Sequence, residues 1–503
     1  MPDSVQASGV DLIGWPVLGR FLSWRHARIA MQIPVLILAG LAIFDGLAGP
    51  SLAPKNFATV SIWLHYRGLV VLALLVAGNL FCMACPFMLT RSAGRWMRER
   101  LGGHGWPVPA ALRNKWLAVG LIVAFFVSYE LFSLWASPWL TAWIAIGYFL
   151  CAFVVDTIFQ GAAFCKYVCP LGHFNFFGSL ISPLEVQVRS QQGCAACRTK
   201  DCIQPLAHGC ELWLFQPRKT GNMDCTFCLD CVHACPYDNI GLIARTPTAE
   251  LWDDPFRSGI GRFSRRSDLA ALVAVLTFGS FMNAFAMIRP VYGLRALLAR
   301  SLGTASEAPG LLVIFALGLV VLPLILLTIT GLASRRLSGA QAQPLGTVVR
   351  RYIFALVPLG FGMWLAHYSF HFLTGGLTVV PVAQSFLTDV GVFAGQVQWG
   401  LGPVVPGEWL FPIEAVFLYL GGFGSLVAAF QIAQRSTAAP GEGGAATHAS
   451  PMRVLGAAAP WMILCLFLLG YGLWILIQPM EMRGTLLARP IAEWAPLIAG
   501  AIA

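Results

Sequence analysis

Residues 225–239 read CTFCLDCVHACPYDN, a run in which four cysteines and a proline follow the pattern C-x2-C-x2-C-x3-C-P. Four further cysteines precede it, at Cys194, Cys197, Cys202 and Cys210, so one stretch holds eight of the chain's 14 cysteines. A zinc ribbon pairs one C-x2-C with a distant second one, and a third cysteine two residues on is hard to place around a single tetrahedral ion. The spacing therefore favours a thiolate site for more than one metal atom.

The rest of the chain has the composition of a membrane protein. Only 11% of its 503 residues are charged, 57% are hydrophobic, and the mean hydropathy is +0.71. Crossing about 30 Å of hydrocarbon takes roughly 20 apolar residues in a helix. Runs of that length predict nine spans, at 31–49, 61–81, 116–137, 139–161, 268–288, 310–332, 352–373, 410–431 and 455–477.

The distribution of positive charge predicts the orientation of these spans. An N-terminus on the inside puts most of the 33 Lys and Arg residues on the cytoplasmic side. We therefore expect a multi-pass protein of the bacterial inner membrane, with a cytoplasmic N-terminus and cysteine loop and a periplasmic C-terminus. The net charge of +10 is explained by topology and anionic headgroups of the lipid bilayer, and it requires no nucleic acid partner.

A cytoplasmic cysteine loop is expected to bind metal through thiolates, because disulfides are rare in a reducing compartment. C-x2-C-x2-C-x3-C-P is the run that holds [4Fe-4S] clusters in bacterial ferredoxins, in which the fourth cysteine binds the other cluster. The four upstream cysteines are spaced less regularly, and a zinc site remains an alternative for them. The crossing rule predicts two clusters, one on Cys194, Cys197, Cys202 and Cys235, and the other on Cys225, Cys228, Cys231 and Cys210.

The predicted fold class is a polytopic α-helical membrane protein of about nine spans with an inserted cytoplasmic α+β domain of the two-cluster ferredoxin type. The predicted parts are a cytoplasmic segment at 1–29, a membrane unit of four helices at 30–170, the ferredoxin-like domain at 171–266, a membrane unit of five helices at 267–480, and a periplasmic amphipathic tail at 481–503.

Two similar motifs close the second and fourth spans. FCMACPFMLTR starts at Phe81 and FCKYVCPLGHFN starts at Phe164, and both helix ends point into the cytoplasm. Packing of the two hairpins as repeats would bring together Cys82, Cys85, Cys165 and Cys169 beneath the cysteine loop. These thiols would hold a further iron-sulfur centre or a copper or zinc ion, or else pack as buried thiols at helix ends that Pro86 and Pro170 define.

A second group of polar residues is predicted near the outer face. His367 and His371 lie four residues apart on one helical face, and His65 falls at a similar depth. These histidines are candidate ligands of a metal ion or, with a partner from another helix, of haem. Glu130 and Glu414 near the same face leave open a quinol pocket, and ordinary interhelical hydrogen bonds are the alternative.

The two Cys-Pro helix ends followed by the cysteine loop resemble the membrane polyferredoxins related to NapH, NosR and CcoG, over roughly residues 60–245. This resemblance implies electron transfer between a quinol or cytoplasmic donor and periplasmic reductases, or reduction of metal ions during oxidase assembly. Here the first motif is C-x2-C-P, one residue shorter than the usual C-x3-C-P. The five spans beyond residue 266 have no counterpart in NapH-like members.

Two functions are therefore open. The first is a membrane-bound iron-sulfur protein that passes electrons between a cytoplasmic or quinol donor and a redox partner in the membrane or periplasm, as a component of a membrane oxidoreductase with quinol dehydrogenase activity left open. The second is a metal-reducing assembly factor that handles copper or iron for a respiratory metalloenzyme. The sequence identifies no catalytic residue for either function.

Overall fold

The computed structural model describes residues 9–204, 208–437, 439–440, 446–447 and 450–480 of the chain. Most of them lie in nine apolar helices: α1 Ala27–Ala48, α2 Phe57–Ala77, α3 Trp116–Leu131, α4 Pro138–Ile158, α5 Ser267–Phe285, α6 Ala308–Leu337, α7 Val357–Gly375, α8 Leu410–Thr437 and α9 Pro451–Ile477. All but α3 are long and apolar enough to cross a membrane, α7 as part of the continuous helical run Leu345–Asp389. The prediction of a multi-pass helical membrane protein is confirmed, and the predicted tail at 481–503 lies outside the described residues.

The third span is shorter than the sequence predicted. We expected 116–137, but α3 ends at Leu131 after 16 residues, about 24 Å of helix. Ser133 adopts a left-handed conformation with φ of 44°, which breaks the helix before the next one starts. Ser137 then caps α4 by accepting a hydrogen bond from the backbone N–H of Leu140 at 3.2 Å, and Pro138 occupies the first position of α4. The two helices thus form a tight hairpin.

Shorter helices flank the spans, at Leu18–Leu22, Phe87–Arg100, Pro170–Gly178, Arg289–Ser301, Leu345–Tyr352 and Val379–Asp389. Phe87–Arg100 and Pro170–Gly178 directly follow the two Cys-Pro motifs. Proline fits the start of a helix because its fixed φ matches the helical value and its missing N–H is not needed there. Each cysteine pair therefore lies between a span and one of these shorter helices.

The segment inserted between α4 and α5 contacts alternate ends of the membrane helices. These contacts lie at the start of α1 (Arg28 to Asp230), after α2 (Asn79 to Cys225), before α3 (Lys115 to Asp224), before α7 (Arg351 to Leu251) and at the end of α8 (Arg435 to Asp253). Because successive membrane helices run in opposite directions, the starts of α1, α3 and α7 and the ends of α2 and α8 lie on the same face of the bundle. The described part of the N-terminal segment and the inserted segment therefore share one face of the helix bundle.

The inserted segment contains a pair of antiparallel strands, β1 Leu184–Val188 and β2 Ile240–Ala244, with Leu184 opposite Ala244. The eight cysteines lie between these strands in sequence. Two short helices, Gln191–Ala196 and Asp230–Ala234, interrupt an otherwise irregular chain. A further pair of two-residue strands, β3 Ala439–Pro440 and β4 Ala446–Thr447, lies between α8 and α9. The predicted α+β character of the insertion is thus limited, in its described part, to one antiparallel pair of strands and short helices.

Helix α7 lies at the centre of the bundle, and nearly all of its side chains are buried. Its Trp364 donates a hydrogen bond from Nε1 to the Leu276 carbonyl of α5 at 2.8 Å. Ser425 of α8 accepts the backbone N–H of Leu359 at 2.9 Å, which satisfies one of the free donors at the start of α7. Phe372 packs against Gly68 of α2. The helices after the insertion are therefore packed against those before it.

Close packing of α7 and α8 predicts opposite effects of two glycine substitutions. In Gly421→Ala the new Cβ would lie 2.6 Å from the Pro358 carbonyl oxygen and 3.1 Å from the Gly362 Cα, so we expect a loss of about 1–3 kcal/mol of stability. Gly470→Ala in α9 meets no described atom within 4 Å, and the higher helix propensity of alanine is expected to leave stability unchanged or raised by up to about 1 kcal/mol. Thermal unfolding in detergent compares the two variants, and equal midpoints would contradict the packing.

Candidate iron-sulfur site and membrane-face thiols

The eight cysteines of the insertion fall into two groups of four. The surface group is Cys194, Cys197, Cys202 and Cys235, and the inner group is Cys210, Cys225, Cys228 and Cys231. The four thiols of the surface group line one pocket. In the inner group, Cys210 interacts electrostatically with each of the other three thiols. These are the groups that the crossing rule predicts, while cluster binding by them stays a prediction.

A short helix separates the last two cysteines of the motif. Cys231 lies in the helix Asp230–Ala234 and Cys235 is its C-terminal cap, so the chain rises by about 6 Å between them. Leu229, just before the helix, has a left-handed φ of 61°, which turns the chain sharply after Cys228. The helix therefore carries Cys235 away from the inner group and into the surface group.

Polar N–H groups point at the sulfur atoms of the surface group. Asn239 donates from its side-chain Nδ2 to Cys194 Sγ at 3.2 Å and from its backbone N–H to Cys235 Sγ at 3.4 Å. The backbone N–H of Lys200 lies 3.4 Å from Cys197 Sγ. Such donors favour the charged thiolate over the thiol, and hydrogen bonds to sulfur tune the reduction potential of a bound cluster. The donor set therefore fits an iron-sulfur cluster at this pocket.

The inner group is shielded from water. Cys210, Cys225 and Cys231 are buried. Burial raises the pKa of Cys210 to about 11 and the pKa values of Cys228 and Cys231 well above the ordinary range. Buried thiols of this kind are protonated unless a metal replaces the proton. The inner group therefore has the ligand type and the dry surroundings that an iron-sulfur cluster takes.

The four thiols at the membrane face also lie near one another. Cys169 interacts electrostatically with Cys165, Cys85 and Cys82. Burial, with Cys165 nearby, raises the pKa of Cys85 to about 12. We call Cys82, Cys85, Cys165 and Cys169 the membrane-face thiols. Three of them accept hydrogen bonds at sulfur: Cys82 from Asn175 Nδ2 at 3.1 Å, Cys169 from the Gly172 N–H at 3.2 Å and Cys165 from Arg91 at 3.3 Å.

The inner group lies next to the membrane-face thiols. Cys225 of the inner group is close enough to raise the pKa of Cys82, after the larger effects of burial and the neighbouring membrane-face thiols. Asn79, between α2 and Cys82, donates from Nδ2 to the Cys225 carbonyl at 2.6 Å. The surface group faces solvent, the inner group lies beneath it, and the membrane-face thiols follow at the helix ends.

Across the described ranges, no three Cys, His, Asp or Glu side chains stand close enough to hold one metal ion. A cubane binds its four thiolates at separate corners, so these thiolates stand further apart than the ligands of a single ion. The three cysteine groups are accordingly spaced more widely than the ligand shell of one zinc or copper ion.

His65 approaches α7 but presents no ring nitrogen to a metal. Its Nε2 lies 2.8 Å from the Gly376 carbonyl oxygen, and its Nδ1 lies 3.0 Å from the Val60 carbonyl oxygen. Its ring packs edge-on against Phe372. A neutral imidazole has one N–H, so only one of these contacts is a hydrogen bond in that form. His65 thus lies beside the end of α7 with both ring nitrogens facing backbone carbonyls, and its role as a metal or haem ligand stays a prediction.

His367 and His371 are both buried, with ring centroids 5.0 Å apart. Glu414 of α8 is buried too, and its Oε1 has no hydrogen-bond partner in the part of the chain that the structure describes. Arg67 donates to the Tyr129 hydroxyl at 3.0 Å and stacks over the Trp63 ring. The end of the bundle away from the insertion thus contains several buried polar groups, and the choice between haem, quinol and metal stays open.

Sequence reasoning missed the buried charges that join the insertion to the helix ends. Arg91 is fully buried and forms ion pairs with Asp156 and Glu211. Lys115 donates to Asp224 Oδ1 at 2.6 Å, with both side chains nearly inaccessible. Asp156 inside an apolar run was a usable signal, because a carboxylate at that depth needs a partner. Nothing in the sequence pattern identified Arg91 as that partner.

Comparison with known proteins gives a limited result. No family model matches the chain, and no solved structure matches it. The chain is 24% identical over 193 residues to the methylamine utilization ferredoxin-type protein MauN of Paracoccus denitrificans, which covers 36% of this chain and 64% of that protein. It is 24% identical over 218 residues to the protein of the same name in Methylorubrum extorquens, which covers 40% of this chain and 72% of that protein.

The chain therefore spans less than two thirds of the Paracoccus relative, and most of its own length lies outside both alignments. This similarity supports the prediction of a ferredoxin-type protein at a coarse level. The narrower resemblance to NapH, NosR and CcoG stays a prediction.

The buried pair of Lys115 and Asp224 predicts a stability effect with an internal control. Asp224→Asn keeps the shape of the side chain and tolerates the positive φ of 63°, but it leaves the Lys115 charge buried without its counter-ion. We expect a loss of about 3–5 kcal/mol in the free energy of unfolding. Asp253→Asn breaks a solvent-exposed pair with Arg435 and should cost about 0–1 kcal/mol. Equal losses in denaturant unfolding of the two variants would contradict this difference in burial.

Proposed function

We propose that the protein is a membrane-bound iron-sulfur protein that passes electrons between a cytoplasmic or quinol donor and a redox partner in the membrane or periplasm. The grouping of the eight insertion cysteines into two sets of four carries this proposal. Two sets of buried or half-buried thiols beside one another are suited to single-electron transfer, since each iron-sulfur cluster stores one electron at a time. The ferredoxin-type names of the two relatives support the same role.

The surface group and the inner group would each hold one [4Fe-4S] cluster. Asn239 and Lys200 would then keep their N–H groups on the surface-group sulfurs, which stabilises the thiolate form. Around the inner group, the buried side chains of Phe227 and Leu229 exclude water. Exclusion of water and hydrogen bonding to sulfur are the two means by which the chain sets the potential of each site.

The three thiol groups follow one another from the solvent towards the ends of the membrane helices. This order supports a path for electrons along the same line. The surface group opens to solvent, where a soluble redox partner has access. The inner group neighbours Cys82 through Cys225 and Asn79. Positive charge on the loops of this face favours the cytoplasmic side of the bacterial inner membrane for the N-terminus and the insertion. The buried polar groups of α7 and α8 would serve quinol or another centre toward the opposite face.

A metal-reducing assembly factor is the alternative, and it requires the membrane-face thiols to move closer together than they stand in the described ranges. Four thiols in two pairs at helix ends are soft ligands of the kind that copper(I) prefers. Optical spectra and metal analysis of the purified protein separate the two functions. A haem Soret band or quinol-driven bleaching of cluster absorption favours electron transfer to quinol or a periplasmic partner, whereas stoichiometric copper without either favours the assembly factor.

The cluster assignment predicts the effect of Cys228→Ser. Loss of one inner-group thiolate should remove about half of the iron and acid-labile sulfide, since one of two clusters is lost, and should abolish most electron transfer. Membrane insertion should be unaffected. Cys151→Ser, in α4 and outside the three groups, is the control and should keep full iron content. Unchanged iron and sulfide in Cys228→Ser would refute the ligand assignment.

A shared site at the membrane face predicts that Cys82→Ala and Cys169→Ala behave alike. Each should remove the same metal or redox signal and leave the two insertion clusters in place, because one site would use both thiols. Metal content and EPR spectra of the two variants are the measurement, with Cys151→Ala as a neighbouring cysteine control. Clearly different losses would indicate separate roles for the two cysteines.

A further inference from the structure

Arg91 contacts three different parts of the protein from one buried position. It lies on the helix Phe87–Arg100, and its side chain is fully buried. Its Nε donates to the Asp156 carboxylate, its Nη2 donates to Glu211 Oε2 at 3.2 Å, and its Nη1 lies 3.3 Å from Cys165 Sγ. A guanidinium directs its donors in fixed directions, so these contacts hold the three groups in a defined arrangement.

Two of these contacts lead to the thiol groups. Cys165 is one of the membrane-face thiols, and Glu211 directly follows Cys210 of the inner group. The Glu211 backbone carbonyl also accepts the N–H of Ala162, just before the second Cys-Pro motif. Arg91 therefore connects a membrane-face thiol to the chain segment that carries an inner-group cysteine.

The third contact, with Asp156, holds the backbone next to Cys165 in place. Asp156 Oδ2 accepts from Arg91, and its Oδ1 accepts the backbone N–H of Phe164 at 2.9 Å. The carboxylate at the end of α4 thus holds both the guanidinium and the residue before Cys165.

Two carboxylates already lie close to the Arg91 guanidinium before any thiolate is counted. Arg91 and Arg95 face Asp156 and Glu211, with Arg95 Nη1 2.8 Å from Glu211 Oε1. The Glu211 carboxylate thus forms ion pairs with two guanidinium groups at once. A thiolate at Cys165, or an electron added nearby, adds negative charge next to the Arg91 guanidinium, which lies 3.3 Å from Cys165 Sγ. In dry surroundings such a charge is strongly stabilised by a cation in contact with it.

We propose that Arg91 is a positioning residue for electron exchange between an iron-sulfur cluster at the inner group and a further iron-sulfur centre held by the membrane-face thiols, an inference that rests on the proposed iron-sulfur function. It holds Cys165 beside the Cys210–Glu211 segment and offsets the negative charge that an electron brings to this contact. The exchange is a single-electron step in which one centre is oxidised and the other is reduced, and no covalent bond changes.

The test measures the reduction potentials of the two insertion clusters by EPR-monitored redox titration of the purified protein. Cys228→Ser assigns the inner-cluster signal by its loss. Arg91→Gln removes a positive charge near the inner group, so we expect a more negative midpoint potential for the inner cluster and an unchanged potential for the surface cluster. Arg91→Lys keeps the charge, so its inner-cluster midpoint potential should stay close to that of the unmodified protein.

Arg95→Gln is the matched control. Arg95 lies one helical turn from Arg91 and pairs with the same Glu211, and its recorded contacts, with Glu211 and Ser92, include no cysteine. We expect a smaller shift of the inner-cluster potential from this variant. Equal shifts from Arg91→Gln and Arg95→Gln, equal shifts of both clusters, or no shift at all would overturn the proposal.

A purely structural role of Arg91 makes a different prediction. Removing it strands the Asp156 carboxylate in the protein interior, which can prevent folding. The pair Arg91→Gln/Asp156→Asn avoids this stranded charge, and its reference is Asp156→Asn alone. The inner potential should be more negative in the double variant than in this reference, and equal potentials would count against Arg91. Absence of two cluster signals in the unmodified protein would instead refute the proposed function itself.

Discussion

Buried ion pairs between the insertion and the helix ends are the constraint on which the arrangement of the thiols depends. Arg91 pairs with Asp156 and Glu211, and Lys115 pairs with Asp224. A charge removed from water costs several kcal/mol unless a partner compensates it, so each charge is tied to one position of its counter-ion. Because Glu211 follows Cys210 and Asp224 precedes Cys225, these pairs fix two cysteines of the inner group relative to the membrane helices.

The pairs also explain why an irregular segment holds a defined position. The insertion has only one pair of five-residue strands and a few short helices in its described part, so little regular backbone hydrogen bonding stabilises it. Several of its residues adopt positive φ, among them Phe227 and Leu229. Contacts to the helix ends therefore replace the extensive secondary structure that an independent domain would use. In a ferredoxin-type site the clusters themselves would supply further cross-links through their thiolate ligands.

Hydropathy predicted the helices well because apolar length is a direct requirement of the bilayer. It overestimated α3, since the apolar run continues past Leu131 while Ser133 turns the backbone. The cysteine motif predicted the grouping of the thiols. The three residues between Cys231 and Cys235 lie in a short helix, and this helix carries Cys235 to the other group. The pairing of Arg91 with Asp156 could not be predicted from the sequence, because these residues are far apart in the chain and meet only when two hairpins pack. His65 shows the same limit, because its depth was predictable and its carbonyl contacts were not.

The position of the outer polar groups bears on how far electrons must travel. His367 and His371 follow the start of α7 by ten and fourteen residues, which places them about 15 and 21 Å along its axis. Leu359 of α7 bonds to Ser425 of α8, and Gly362 lies against Gly421, so the antiparallel register puts Glu414 at the level of Phe370, between the two histidines. The thiol groups all lie at the opposite end of the bundle. A path across the full bilayer therefore requires a redox carrier near α7 and α8, and the buried histidines and carboxylate are among the polar groups that the described residues place at that depth.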